Sequence, residues 1–389
     1  MTAITFTTLP VASISTRVGS DTLRVAALSL LSVRFIQGFI YWGGGSRRFI
    51  YAPSKLDPHA ASWMANKFQS AMPGALLGTD HVIAFLLHHF ALLYAALIIF
   101  SAGELIAGVF LMAGFLTRAA ALASIVFSIV LMLMFGWQGA TCIDEWTMAA
   151  SNLAMGATLM LAGGGAFSID NTLLRHRPAL AERGWFCWTG GALPLPLPLP
   201  DRRFAILALA VFASTVVFNV ATYSYYRGSV VTEFHGGPVS PSRHHLALAD
   251  GAVLPDGSAR FHAYLDGGTP AAPSNLMAAT LLAQDGSVLE QWDGAALSHL
   301  PPSRIANDFS YNRFMPGPFG LSATVGAEAT ITLPGTATAA SDLSGKSATL
   351  RLRTVNGNSF ELPVKDSLKQ RWSSVAASRS ALLPRHAIN

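Results

Sequence analysis

Residues 82–136 read VIAFLLHHFALLYAALIIFSAGELIAGVFLMAGFLTRAAALASIVFSIVLMLMFG, and beyond the histidines at 88–89 only Glu104 and Arg118 are charged. A membrane-crossing helix needs ~20 mostly apolar residues. As one helix, Val82–Phe115 would run about 50 Å at 1.5 Å per residue. That exceeds one untilted crossing, so its first turns belong at or above the interface. Ala119–Gly136 forms the next span. Reading outward adds Thr22–Trp42 before this pair and Glu145–Gly163 and Phe204–Tyr223 after it.

Composition agrees with that reading. Of 389 residues, 51% are hydrophobic and 12% charged, with a mean hydropathy of +0.42. Soluble domains carry about a quarter charged residues. The deficit is confined to residues 22–223, whereas 224–389 has the composition of an ordinary soluble domain. The expected architecture is therefore a membrane α-helical bundle, four core helices plus a fifth, followed by an all-β sandwich outside the membrane. The expected boundaries are an N-terminal cytoplasmic segment 1–21, a four-helix domain 22–170, a cytoplasmic Pro-rich linker 171–203 and a fifth helix 204–223. A β domain over 224–365 and a basic tail over 366–389 complete the chain.

Lys and Arg in short loops set orientation. Arg17 precedes the first span and Arg24 stands in its first turn, Arg118 lies between the second and third, and Arg175, Arg177, Arg183, Arg202 and Arg203 follow the fourth. All fall on one side of a five-span chain whose N-terminus is cytoplasmic. The β domain is then extracytoplasmic, on the periplasmic face of an inner membrane. The LPLPLPLP run ending at Pro200 is an extended polyproline spacer. Past Tyr226, alternating runs at 259–265, 277–283, 327–333, 348–354 and 359–364 read as strands.

Several function classes are excluded. The two cysteines, Cys142 and Cys187, make no CxxC pair, and there is no haem-attachment motif, GxGxxG or Walker loop. A net charge of +5 without a basic–aromatic stripe does not mark a nucleic-acid binder. His88 and His89 are adjacent, point to different helix faces and make no metal pair. No metal, flavin or haem is expected.

Five features could carry chemistry. GWQGATCIDEWTMAA, Gly136–Ala150, sets Cys142 in an outward turn beside Asp144 and Glu145. A helix N-terminus favours the thiolate and flanking carboxylates oppose it; a small buried thiol in a turn is the alternative. Asp144 and Glu145 suit proton delivery at the membrane edge, or simple helix capping. Trp137 and Trp146, with Gln138, are flat interfacial surfaces for a quinone or belt residues. Arg34 and Glu104 sit inside spans, where a charge usually pairs, and they are expected to pair with each other. Finally, the loop 43–81 lies on the outer side yet carries Arg47, Arg48, Lys55 and Lys67. Its GGGSRRFIYAPSK, Gly43–Lys55, would offer backbone N–H groups and guanidinium forks to an oxyanion.

These segments together resemble the DoxD family, within the wider DoxX-like group of four-helix membrane proteins. The resemblance runs from about Arg34 to Asp170, through RFIQGFIYWGGGSRRFIYAPSKLDP, WMANKF, PGALLG, GELIAGVFLMAGFLTRAAAL, FGWQGATCIDEWTMA and GGGAFSID. NDFSYNRFMPGPFGLSATVGAEATITLP, Asn307–Pro334, resembles the partner subunit DoxA. The resemblance implies a fused thiosulfate:quinone oxidoreductase, which oxidises thiosulfate to tetrathionate and passes two electrons to ubiquinone or menaquinone. On that reading Cys142, Asp144 and Glu145 are catalytic. Arg34, Arg47, Arg48, Lys55, Lys67, Asn312 and Arg313 bind substrate, and Glu104, Trp137, Gln138 and Trp146 bind quinone. Expected partners are thiosulfate, quinone and the lipid bilayer, with a homodimer compatible and nucleic acid not. The rival readings are a quinone-linked oxidase of another thiol or sulfur compound, a sulfur-oxyanion binding or transport protein, and an assembly subunit.

Overall fold

The computed structural model describes residues 11–139, 145–191, 197–227, 243–270, 272–336 and 347–366. It divides into two compact units, Met1–Met64 with Ala91–Phe234, and Ala65–Phe90 with His235–Asn389. The first is helical, the second mainly β.

The helical unit contains α1 (Val11–Ser46), α4 (Phe90–Ala113), α5 (Thr117–Phe135), α6 (Glu145–Ala162), α7 (Ile169–His176), α8 (Gly184–Thr189) and α9 (Asp201–Arg227). Among the described residues four helices are long and apolar enough to cross a membrane: Thr22–Tyr51, Phe90–Ala113, Thr117–Phe135 and Asp201–Tyr226. α6 occupies the place of the expected fourth span but is not in that set. Its 18 residues include Glu145, Thr147, Ser151, Asn152 and Thr158, which lower its hydropathy, and its inner face is buried through Ala149, Asn152, Leu153, Gly156 and Ala157.

α1 and α4 run antiparallel through glycines. A methyl group on Gly38 would meet the Gly108 carbonyl and Met112 at 2.7 Å, and one on Gly45 would meet Leu105 at 2.7 Å. Membrane helices associate by such close backbone approach, because lipid supplies no hydrophobic drive between them. Tyr41, Leu111, Ala120, Ala121 and Leu159 form the buried core where α1, α4, α5 and α6 meet.

The long apolar stretch is not one helix. α3 (Thr79–His88) ends at His89, whose backbone leaves the helical region at φ −120°, ψ 79°. The chain then restarts as α4. The break separates the expected interfacial turns from the span proper, and α3 belongs to the second unit with α2 (Met64–Ala71).

The β unit contains β1 (His245–Val253), β2 (Ala259–Gly267), β3 (Ser274–Ala283), β4 (Val288–Trp292), the short helix α10 (Gly294–Ser298), β5 (Ile305–Asn307), β6 (Met315–Gly317), β7 (Gly320–Ala323), β8 (Glu328–Leu333), β9 (Ala348–Thr354) and β10 (Ser359–Asp366). Antiparallel pairing gives one sheet in the order β5-β8-β2-β1. A second runs β10-β9-β3-β7-β6, with β4 beside β3. A short parallel contact, Ala252 opposite Lys365, joins β1 to β10. Phe261, Ala263, Leu265, Leu281, Ile331, Leu333, Leu350 and Leu352 are fully or nearly fully buried. Successive strand residues face opposite ways, so Arg260, His262 and Tyr264 lie on the other face of β2.

Residues 65–90 belong to this unit through polar clasps as well as packing. The Gln69 side chain donates to the carbonyls of Asn312 (2.9 Å) and Gly326 (2.8 Å), and its oxygen accepts from the Asn312 N–H at 2.8 Å. His88 packs on the Phe309 ring with centroids 4.8 Å apart.

Candidate functional site

The basic segment that follows α1 is built on a change of helical pitch. After Ser46 the chain continues as a π-helical turn, Arg47–Tyr51, a form concentrated at functional positions. Arg47 stays exposed while Arg48 turns inward. Arg48 forms an ion pair with Glu104 of α4, reaches Ser101 Oγ at 3.5 Å and lies over the Phe100 ring at 5.9 Å. Lys55 is half-buried in the following 3-10 turn.

The expected Arg34–Glu104 pair does not form. Arg34 lies fourteen positions before Arg48, about 21 Å along a helix, and the antiparallel run of α4 brings Glu104 to Gly44 and Arg48 instead. Arg34 donates to the carbonyls of Gly164, Ala166 (3.2 Å) and Phe167 (3.1 Å). Those carbonyls converge because Gly163, Gly165 and Phe167 take positive φ of 83°, 67° and 49°, a conformation glycine adopts without penalty. The GGGAFSID segment is therefore a carbonyl cup for a buried guanidinium. Its last residue, Asp170, accepts from Leu116 N–H (2.9 Å), Thr117 N–H (3.0 Å) and Thr117 Oγ (2.8 Å), tying down the α4–α5 turn.

Between these two charged regions runs a neutral polar seam. Gln37 donates to Ser124 Oγ (3.0 Å) and the Asn152 carbonyl (2.8 Å). Tyr41 O–H donates to the Ser124 carbonyl at 2.8 Å and lies 2.9 Å from Ser128 Oγ. Among the described residues, the buried amide oxygens of Gln37 and Asn152 meet no hydrogen-bond donor. Sequence reasoning gave no role to Gln37, Tyr41, Ser124, Ser128 or Asn152. The available signal was the i, i+4 spacing of Ser124 and Ser128, which sets two hydroxyls on one face of an apolar helix.

At the far end of α5, Trp137 is buried in the turn that closes the helix and Gln138 is half-buried. Trp146, in the first turn of α6, donates from Nε1 to Thr222 Oγ (2.9 Å) and packs edge-on against Tyr223 at 5.2 Å. Tyr226 O–H donates to the Met132 carbonyl at 3.1 Å. These contacts gather the ends of α5, α6 and α9 into one aromatic cluster. Glu145, half-buried, opens α6 beside it. Cys142 and Asp144 lie outside the described residues. Cys187 is buried, its thiol 3.3 Å from the Ala181 carbonyl, while its own carbonyl accepts from Arg118 at 2.6 Å.

In the second unit Lys67 and Arg313 are exposed. Asn312 is buried, with its side-chain N–H groups on the carbonyls of Asn66 and Val325, both at 2.9 Å. That amide holds the 65–90 segment to the β domain.

A run of membrane-length helices with polar and charged groups at their interfaces, followed by a β-rich domain, defines a helical membrane protein with an attached β module. Comparison with known families is more specific. Residues 29–195 match the TQO small subunit DoxD and residues 226–362 the TQO small subunit DoxA, where TQO is thiosulfate:quinone oxidoreductase. The chain belongs to these families as a DoxD–DoxA fusion. No solved structure matches it.

Proposed function

We propose that this chain oxidises two thiosulfates to tetrathionate and transfers the two electrons to membrane quinone. The observation that carries the proposal is the presence of both subunit families, end to end, on one chain. The apolar helices support a lipid-soluble electron acceptor, and the Arg47–Arg48 turn supports an anionic donor. We further propose that the membrane is the cytoplasmic one, with the β domain on its periplasmic side.

The chemistry balances as follows. The sulfane sulfur of one thiosulfate forms a bond to the quinone ring. A second thiosulfate attacks that sulfur, making the S–S bond of tetrathionate and breaking the S–C bond. The electron pair stays on the quinone, which takes two protons to become quinol. In this scheme Arg47 draws in the dianion, and Lys55 adds to the field. Arg48, fixed by Glu104, helps shape the anion's approach. Trp137, Gln138 and Trp146 line the quinone's place. Glu145 and Asp144 supply protons. In a variant of the same route the Cys142 thiolate adds to the quinone, one thiosulfate attacks the Cys142 sulfur and breaks the S–C bond to leave Cys–S–S–SO3⁻ and quinol, and a second thiosulfate then forms tetrathionate and frees the thiolate.

Donor profiling tests the reading. Quinone reduction should follow thiosulfate and yield tetrathionate, with little response to sulfite or simple thiols. Reduction by thiols without tetrathionate would reassign the donor, and thiosulfate movement across sealed vesicles without quinol would make the chain a transporter. Cys142→Ser should lower turnover by about 10²-fold or more if the thiol is the nucleophile; unchanged kcat would remove it from the scheme.

A further inference from the structure

The exposed face of the β5-β8-β2 sheet brings together three groups that the proposed redox reaction does not use. Antiparallel register sets His262 opposite Thr330 and Tyr264 opposite Glu328, and sets Asn307 opposite Ala329. Asp308 follows immediately, with its N–H on the Glu328 carbonyl at 3.0 Å. Three neighbouring strands thus aim one imidazole nitrogen and two carboxylates at a common point. His262 Nε2 is 2.9 Å from Glu328 Oε1 and 3.9 Å from Asp308 Oδ2, and the three ligand atoms lie within 4.8 Å of one another. Ligands bound at about 2.0–2.2 Å stand roughly 3–3.5 Å apart around a cation. Small side-chain rotations bring these three to that spacing.

Two further features separate this cluster from an ordinary histidine–carboxylate contact. The other ring nitrogen, Nδ1, faces Thr330 Oγ at 3.4 Å, which orients the ring with Nε2 toward the carboxylates, as outer partners do for metal-bound histidines. The cluster is also acidic. With a neutral imidazole the trio carries two negative charges, which one divalent ion balances. The side chains are 22%, 39% and 26% exposed for His262, Asp308 and Glu328, so an ion can enter and keep water on its open positions.

We propose that His262, Asp308 and Glu328 form a divalent-cation site on the water-side domain, its mixed nitrogen and oxygen ligands suiting Zn²⁺ or Mn²⁺. The site is separate from the redox reading and does not depend on it.

Calorimetric titration of the chelator-treated full chain in detergent, with Zn²⁺ and then Mn²⁺ as probes, tests this. One ion per chain should bind, and the unfolding temperature should rise with it. His262→Ala and Asp308→Asn should each weaken binding about tenfold or more while leaving the ion-free unfolding temperature near wild type. His299→Ala, an exposed histidine outside the cluster, should bind as wild type. No saturable binding of either ion, or binding unchanged in His262→Ala and Asp308→Asn, overturns the proposal. If His262→Ala fails to fold, Asp308→Asn and Glu328→Gln decide the matter on the same criterion.

Discussion

At the scale of single residues, two arginines meet different partners at different depths along α1 and the turn after it: Arg34 the carbonyls of Gly164, Ala166 and Phe167, Arg48 the Glu104 carboxylate. Arg48 and Glu104 are both largely withdrawn from water. Removing one member of such a pair leaves an uncompensated charge, which costs about 3–5 kcal/mol. Arg48→Ala should therefore lower the unfolding temperature of the detergent-solubilised protein markedly. Arg48→Ala combined with Glu104→Leu should recover much of the loss. Equal destabilisation in the single and double variants would contradict the pairing. In the β unit, burial holds the His244 imidazole below its usual pKa of 6.5. The sign follows from linkage: a depressed histidine pKa gives stability that is present above about 6.5 and lost as pH falls, because the unfolded chain takes up the proton more readily. The unfolding midpoint should fall between about pH 7 and pH 5, and His244→Gln should flatten that dependence; an identical pH profile in the variant would count against it.

At the scale of elements, the α1–α4 contact depends on the absence of side chains. A Cβ on Gly108 would press on the backbone of Trp42 and on the Gly38 carbonyl. Gly108→Leu should cost about 2 kcal/mol or more through overpacking, read as lost thermal stability of the helical unit. Substituting Gly43, where an added Cβ meets nothing within 4 Å, should be far milder. The elements also separate what was legible in the sequence from what was not. Apolar runs marked α1, α4, α5 and α9, because span length is dictated by bilayer thickness. Period-2 alternation at 259–265 marked β2 and its buried Phe261 and Leu265. The pairing of Arg34 was not legible. Composition identifies an intramembrane charge, but its partner depends on helix direction and depth, and the carbonyl cup at 163–167 has no side-chain signature at all. The polar clasp between Gln69 and Asn312 was equally hidden, since 243 positions separate them. The His262–Asp308–Glu328 cluster arises only from strand register, for which the sequence offers no fixed spacing.

At the scale of the whole molecule, the chain joins a DoxD region and a DoxA region that are matched by separate family models. The helical unit supplies the membrane-length apolar helices and the buried Arg48–Glu104 pair. The β unit incorporates residues 65–90, a segment inside the DoxD match, so the two matched regions are not two independent folding units. Excising the β domain at residue 226 should expose the contact surfaces of α2 and α3 and destabilise that segment, measurable as faster hydrogen exchange over 65–88.

The proposed activity couples thiosulfate oxidation to quinone reduction on one chain. The most direct measurement is product stoichiometry from the purified full chain in detergent, with thiosulfate as sole donor and quinone as sole acceptor. One tetrathionate should form for each quinol. Quinol without tetrathionate, or neither product from intact folded protein, would contradict it.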